Sequence, residues 1–277
     1  MSGILYVVAT PIGNLEDMTY RAVRILQEVD LIAAEDTRHS RRLLDHYAIK
    51  AKLVSYHEHN EVERAEQLLG RLINGESVAL ISDAGTPGIA DPGYRLVRSC
   101  RQAGVEVVAV PGPSALIAAL SISGLPTDSF CFIGFLPSKT HARKSTLQGV
   151  LSDSRTTACY ESPHRLSACL TDIVEVLGDD RELAVARELT KRHEELFHGT
   201  AATAREYFSG GRVKGELVLL IGPAAKKQPE GTVRDALLRL RDETELGWKE
   251  IVKQVAKEFG ESSREVYRES LELRNDE

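Results

Sequence analysis

VALISDAGTPGIADPG, residues 78–93, runs without a break from an apolar segment into a loop dense in backbone-shaping residues. Val78–Ser82 has the character of a buried strand. The six positions after it, Asp83–Gly88, carry a carboxylate, two glycines and a proline, which is how a strand end opens onto a loop. Gly85 and Gly88 admit positive φ or close backbone approach, and Pro87 fixes its own φ. Asp83 falls where the carboxyl ends of strands meet ligands in open α/β sheets. Downstream, Asp91 is expected to cap a helix that begins at Pro92, with Leu96, Val97 and Cys100 as its apolar stripe and Gly104 closing it. A merely tight βα connection is the bland alternative for this loop.

The same strand-then-loop pattern recurs on either side. Ile4–Ala9 ends in Thr10-Pro11-Ile12-Gly13-Asn14, and a helix follows with Ala22, Val23, Ile25, Leu26 and Val29 on one face. Leu31–Ala34 leads directly into Glu35-Asp36-Thr37-Arg38 and then a helical stretch from His39. Lys52–Tyr56 precedes an amphipathic helix carrying Leu68, Leu69, Leu72 and Ile73, while Val105–Val110 ends in Pro111-Gly112-Pro113-Ser114 ahead of a helix at Ala115–Ser123. Strands too apolar to have a wet face, alternating with helices, predict a largely parallel sheet covered on both sides. Parallel topology would bring the loops at 10–14, 35–38, 83–88 and 111–114 to one edge as a ligand site. The chain has no G-x-G-x-x-G after its first strand and no G-x-x-x-x-G-K-[ST], so the expected ligand has no phosphate chain. A zwitterionic, adenine-bearing ligand such as S-adenosylmethionine suits backbone groups and an apolar slot.

With 277 residues, 42% of them hydrophobic, the chain can bury a sizeable core and suits roughly two domains by length. No apolar run approaches the ~20 residues of a membrane span, and the N-terminus lacks the basic and cleavage features of a signal peptide, so the expected location is cytoplasmic. Cys100, Cys131, Cys159 and Cys169 lie far apart in apolar segments, which favours buried thiols over disulfides or zinc. A net charge of −6 argues against a generic nucleic-acid coat while leaving room for a local basic patch.

Past Lys139 the pattern predicts a short helix, a strand at Thr156–Tyr160, a helix at Leu166–Leu177, a strand at Leu183–Ala186, a polar stretch at 187–199, a helix near Ala201–Phe208 and a strand at Glu216–Ile221. The polar insertions Glu161–Arg165 and Arg187–His193 both follow strands, which would face them toward the cleft from the other side. Two basic clusters accompany them, one of Arg187, Lys191, Arg192 and His193, the other of Lys139, His141, Arg143 and Lys144. A solvated charged face is the alternative for each. After a polar linker at Pro223–Gly231 the chain is helical in pattern, with Ile251, Val252, Val255, Ala256 and Phe259 on one face, Gly260 as terminator and Ser262 with Glu265 as a capping box. Helix, short Gly turn, helix is a helix-turn-helix outline that fits a packing hairpin as well as a nucleic-acid contact.

ATPIGN at 9–14, AEDTR at 34–38, SDAGTPGIADPG at 82–93 and VPGPSA at 110–115, in that order, resemble the tetrapyrrole methylase superfamily, and the likeness continues through FIGFLP at 132–137, YESPHR at 160–165, RELTK at 187–191 and Gly215-Glu216. ATPIGN, EDTR and YESPHR are similar to the branch of that superfamily that acts on ribosomal RNA. The resemblance implies two α/β domains, residues 1–136 and 137–224, with the cofactor cleft between them and a helical module at 232–277. It also implies S-adenosylmethionine as cofactor, no metal, a homodimer, and 2′-O-methylation of a cytidine in the decoding region of 16S rRNA within the small ribosomal subunit. On this reading Pro11, Gly13, Asn14, Asp83, Ala84, Gly85, Thr86, Pro87, Pro111, Gly112 and Ser114 hold the cofactor. Arg38, Lys139, Arg143, Glu161, His164, Arg165, Arg187 and Glu188 hold the substrate. Methyl transfer from a sulfonium is an in-line displacement governed by placement, but a ribose hydroxyl needs a proton acceptor. Glu35, Asp36 and Lys191 are the catalytic candidates, with Glu161, His164 and Glu188 also in reach, and no motif singles out the base. For Glu35 and Asp36 the alternative is helix capping or pairing with Arg38. A porphyrinoid C-methyltransferase and a non-catalytic ligand-sensing nucleic-acid binder are the competing functions.

Overall fold

Alternation along the early strands sorts the first sheet's side chains onto two helix-covered faces. In the computed structural model, which describes residues 2–210, 213–225 and 231–275, β1 (Ile4–Val8), β2 (Leu31–Ala34), β3 (Leu53–Ser55), β4 (Val78–Ile81) and β5 (Glu106–Val110) form a sheet of order β3-β2-β4-β1-β5. All its pairings are parallel. Ile32, Ala34, Ala79 and Ile81 pack on one side with α1 (Tyr20–Glu28) and α2 (Thr37–His46). Leu31, Ala33, Val78 and Leu80 pack on the other with α3 (Glu61–Ile73) and α4 (Tyr94–Gln102). That is the period-two split of strands buried on both faces. The edge strand β5 departs from it, since Glu106 and Ala109 are exposed.

One boundary differs from the sequence expectation. Helix α4 starts at Tyr94, its N-cap is Gly93 at φ 155°, and no side chain caps it, so Asp91 is not its cap. Gly93 stands where a Cβ would lie 3.1 Å from the Gly88 amide nitrogen and 3.2 Å from a Leu80 methyl. The chain therefore turns on glycine, and Asp91 is carried elsewhere.

The second sheet comprises β6 (Phe130–Phe135), β7 (Thr156–Glu161), β8 (Glu182–Arg187), β9 (Glu195–Thr200) and β10 (Leu217–Ile221) in the order β6-β7-β10-β8-β9. Only β6 and β7 run parallel; the other neighbours are antiparallel. Helices α6 (Thr140–Val150), α7 (Leu166–Leu177) and α8 (Ala201–Tyr207) cover one face. The other face receives Leu116, Ala119 and Leu120 of α5 (Ala115–Ile122), together with Ile12 from the loop after β1. Elements of the first sheet thus enter the core of the second, and residues 1–224 form one compact unit.

The remaining unit, Ala225–Glu277, holds α9 (Val233–Glu243), α10 (Trp248–Phe259) and α11 (Ser263–Asn275) around a core of its own that includes Leu237, Ile251, Val255 and Val266. Thr232 and Asp235 cap α9 reciprocally, Gly260 ends α10 in the left-handed region at φ 68°, and Ser262 with Glu265 forms a capping box for α11. The expected linker at Pro223–Gly231 has its central part, residues 226–230, outside the described residues. All four cysteines are free thiols. No helix among the described residues is long and apolar enough to cross a membrane.

Candidate functional site

The loops at the carboxyl edge of the first sheet meet as neighbours. Thr10 and Gly85 exchange backbone hydrogen bonds of 2.9 and 3.0 Å, and the Thr10 hydroxyl donates to the Ser82 carbonyl at 3.0 Å. Thr86 Oγ1 donates to the Pro113 carbonyl at 3.3 Å. The Asp36 amide donates to Asp83 Oδ1 at 3.0 Å, and the Asp83 amide to Glu35 Oε2 at 3.5 Å. Gly85 holds φ +79°, and a Cβ on Gly112 would come within 3.0 Å of the Ala9 methyl, so both glycines are required by the turn or by the packing.

Between this edge and the second sheet lies a cavity of about 370 Å³, within the size range of small-molecule sites. Its first wall is Ile12, the 84–86 loop, Ile89, Asp91 and the start of α5 at Ser114-Ala115. Its second wall comes from the ends of β6, β7 and β8, with Phe135, Tyr160 to Pro163, Ala186 and Leu189, and from Gly215 to Val218 leading into β10. Because β10 runs antiparallel to β7 and β8, its entry lies at the same edge as their exits. The lining is mostly apolar and includes no lysine or arginine.

Its titratable groups are acidic and unequal. The Asp91 carboxyl is pushed up to about 6, first by burial and then by the charges of Glu35 and Asp83. Glu35 is raised too, by burial and by Asp83, and Tyr160 is raised by burial and by Asp91. Opposite them Glu161 is only 2% exposed. Its Oε1 accepts from the Ser162 amide at 2.7 Å and lies 3.1 Å from Arg165 Nε, while its Oε2 is buried with no partner. The side chain is wholly unexposed and lies on the face of the sheet that α7 covers, near Cys169, so only the residue's backbone edge borders the cavity. Glu216 is paired with Lys191 at 3.1 Å. Among the described residues no group of three or more His, Cys, Asp or Glu side chains is arranged to hold a metal ion.

Of the residues expected at the site, Ala84, Gly85, Thr86, Ser114 and Glu161 line the cavity. Pro11, Gly13, Asn14, Asp83, Pro87, Pro111, Gly112 and Glu35 belong to the surrounding loops and do not line it. Asn14 is occupied in accepting from the Glu16 amide. Three of the expected residues are engaged by neighbouring groups of the fold. Asp36, a catalytic candidate, is the N-cap of α2, accepting from the Arg38 and His39 amides, and its contact with the Arg38 side chain holds its carboxyl below the ordinary range. Lys191, expected as catalytic, is gripped by Glu188 at 2.9 Å and Glu216; burial would lower its pKa, but these partners keep it raised. Its stem packs beneath Gly13, where a Cβ would lie 2.4 Å from Lys191 Cγ.

Arg143, expected at the substrate, is the third. It is 3% exposed, donates through Nε to Asp172 at 2.7 Å and reaches the carbonyls of Pro137 and Ser138, which makes it a tie between α6 and α7. Among the other substrate candidates, Arg187 pairs with Glu195 at 2.5 Å, Glu188 with Lys191, and Arg165 with Glu161 and the Leu136 carbonyl. Lys139 and His164 are exposed, and Arg38 is 91% exposed beside Asp36. The sequence reading missed Ile12, Ile89, Phe135, Leu189 and above all Asp91 and Tyr160 as cavity residues. Tyr160 and Phe135 sit inside YESPHR and FIGFLP at strand ends, which was the available signal; Asp91 was masked by its resemblance to a helix cap.

A family model described as Tetrapyrrole (Corrin/Porphyrin) Methylases matches residues 4–205. A Synechocystis sp. protein named ribosomal RNA small subunit methyltransferase I is 50% identical over 278 residues, covering 99% of both chains. One of the same name from Escherichia coli O157:H7 is 49% identical, covering 98% of this chain and 95% of its own. Among solved structures, uroporphyrin-III C-methyltransferase of Thermus thermophilus in complex with S-adenyl homocysteine aligns with a TM-score of 0.55 at 20% identity, over 79% of this chain and 97% of the other, a likeness of fold. The match across both sheets, with the loops of each converging on one cavity, means that the chain belongs to the tetrapyrrole methylase family.

Proposed function

We propose that this protein transfers a methyl group from S-adenosylmethionine to the 2′-hydroxyl of a cytidine in 16S rRNA, acting on the small ribosomal subunit. The observation that carries the reading is the likeness near 50% identity, over essentially the whole chain, to proteins named ribosomal RNA small subunit methyltransferase I. The cavity suits such a cofactor. It offers apolar surface for an adenine ring and no cation to repel a sulfonium or ammonium. Bound there, S-adenosylmethionine supplies an electrophilic methyl carbon on a sulfonium.

The chain's own residues divide the remaining work. The loops at 10–14, 83–88 and 111–114, fastened to one another through Thr10, Gly85, Thr86 and Pro113, hold the cofactor on the first wall. We place domain boundaries at 1–136, 137–224 and 232–277, with Glu161 and its partner Arg165 serving the substrate from the second. Exposed Lys139 and His164, and Arg38 beside its partner Asp36, are placed to approach phosphates around a splayed-out nucleotide. A homodimer in the cytoplasm completes the proposal. Incubating the protein with labelled S-adenosylmethionine and, separately, small subunits, naked rRNA and a porphyrinoid tests it, with nuclease digestion and mass spectrometry as the readout. A 2′-O-methylated cytidine from small subunits is expected; a methyl group on the base, or on the porphyrinoid alone, would overturn it.

A further inference from the structure

Four titratable residues border the cavity, namely Asp91, Tyr160, Glu161 and Glu216, and three of them are unsuited to take a proton from a group bound there. The Glu161 side chain is wholly unexposed and tied to Arg165 and the Ser162 amide, away from the cavity space, and Glu216 is paired with Lys191. Tyr160 is a phenol raised above its already high value. Asp91 differs, because the charges that act on it are both carboxylates, Glu35 at the end of β2 and Asp83 at the end of β4. On its outer side a second groove brings Glu58, Glu61, Tyr94 and Arg95 near it, and Arg95 is spent on Glu61 at 2.6 Å. The Ser82 hydroxyl is the one group on it that favours ionisation.

We propose that Asp91 is the general base that accepts the proton of the attacking hydroxyl. Its place in the first wall puts a carboxylate that no lysine or arginine pairs with against the space a substrate hydroxyl would enter, across from Tyr160 of the second wall. The O–H bond breaks toward Asp91, and the oxygen's electron pair forms the new bond to the methyl carbon. The carbon–sulfur electrons leave with sulfur as a neutral thioether, and Asp91 then returns the proton to water. A carboxyl raised toward neutrality suits the task, since a base works best with its pKa near the working pH. Glu35 and Asp83 act as positioning residues that keep Asp91 basic without lining the cavity.

This assignment rests on the ribose methylation proposed above, and Asp91→Asn, nearly the same shape, tests it. The expected single-turnover rate on small subunits falls about 10²- to 10⁴-fold. Affinity for S-adenosylhomocysteine by calorimetry should stay within roughly threefold, below 0.7 kcal/mol. Wild-type rates should rise with pH through about 6, that step should vanish in Asp91→Asn, and Asp91→Glu should restore part of both rate and step. Carbon-13 NMR of the ligand-free protein should find the Asp91 carboxyl titrating far above an ordinary aspartate. An Asp91→Asn variant with the wild-type rate and pH profile overturns the proposal, as does a carboxyl titrating in the ordinary range. Parallel loss of rate and S-adenosylhomocysteine binding would make Asp91 a cofactor-holding residue and overturn it too. A wild-type protein that leaves cytidine riboses unmethylated removes the function itself, and the base with it.

Discussion

Glu35, Asp83 and Asp91 crowd one corner beside the cavity, where burial and then the neighbouring negative charges make Glu35 and Asp91 harder to ionise. For Asp91 the folded carboxyl lies at about 6 against an ordinary 3.8, so the folded state favours its protonated form. The sign follows: its contribution to stability is fully present below the ordinary aspartate value and is lost as pH rises through about 6. Asp91→Asn, which cannot ionise, should therefore unfold at higher urea than wild type at alkaline pH and show no advantage in acid. Solvent screening of a half-buried group reduces the expected gain to about 1 kcal/mol. A difference between the two proteins that does not change with pH would refute this. Gly85 gives a second residue-scale prediction. Its φ of +79° strains any side chain by about 1–2 kcal/mol, while a Cβ there meets only ordinary contact with Ile12 at 3.5 Å. Gly85→Val should keep the fold and lose S-adenosylhomocysteine binding by calorimetry, because the turn that shapes the wall is displaced; unchanged affinity would remove the cofactor from this loop.

Helices α6 and α7 are joined through Arg143 and Asp172, a pair whose side chains are only 3% and 7% exposed. Removing one partner leaves the other charge buried, so Arg143→Ala should destabilise the protein by about 3–5 kcal/mol, with Asp172→Ala similar and the double variant far less than additive. Additive losses in urea unfolding would mean the two are not coupled. Arg143 also marks a limit of inference from sequence: a basic residue between His141 and Lys144 carries no sign of whether its helix face is buried. The first sheet was legible because its strands are apolar on both faces and each ends in a distinctive loop. In the second, β9 reads as polar because its residues alternate between partly buried and exposed at a sheet edge, and β6, FCFIGF, was noticed only for its motif. The cavity edge followed from parallel topology alone. Asp91 did not, because Asp-Pro before an apolar stripe is how many helices begin, and only the backbone angle of Gly93 shows that this helix starts two residues later.

Ile12 and α5 leave the first sheet and enter the second sheet's core, which makes the cavity a consequence of how residues 1–224 fold as one unit. The three-helix unit has a core and caps of its own. On α10, Lys249, Lys253 and Lys257 recur every four residues along an exposed face, about 6 Å apart at the helical rise. Evenly spaced cations suit successive backbone phosphates, whose neutralisation releases counterions and makes binding depend on salt. A chain ending at residue 224 should therefore fold, keep its S-adenosylhomocysteine affinity, and bind small subunits more weakly. Lys249→Gln, Lys253→Gln and Lys257→Gln together should reproduce that weakening in the full chain and flatten the slope of log affinity against log salt by about 2, from roughly 0.7 for each lost phosphate contact with a single strand. If the truncated chain unfolds, or the triple variant binds small subunits with the wild-type slope, the helices serve packing rather than RNA.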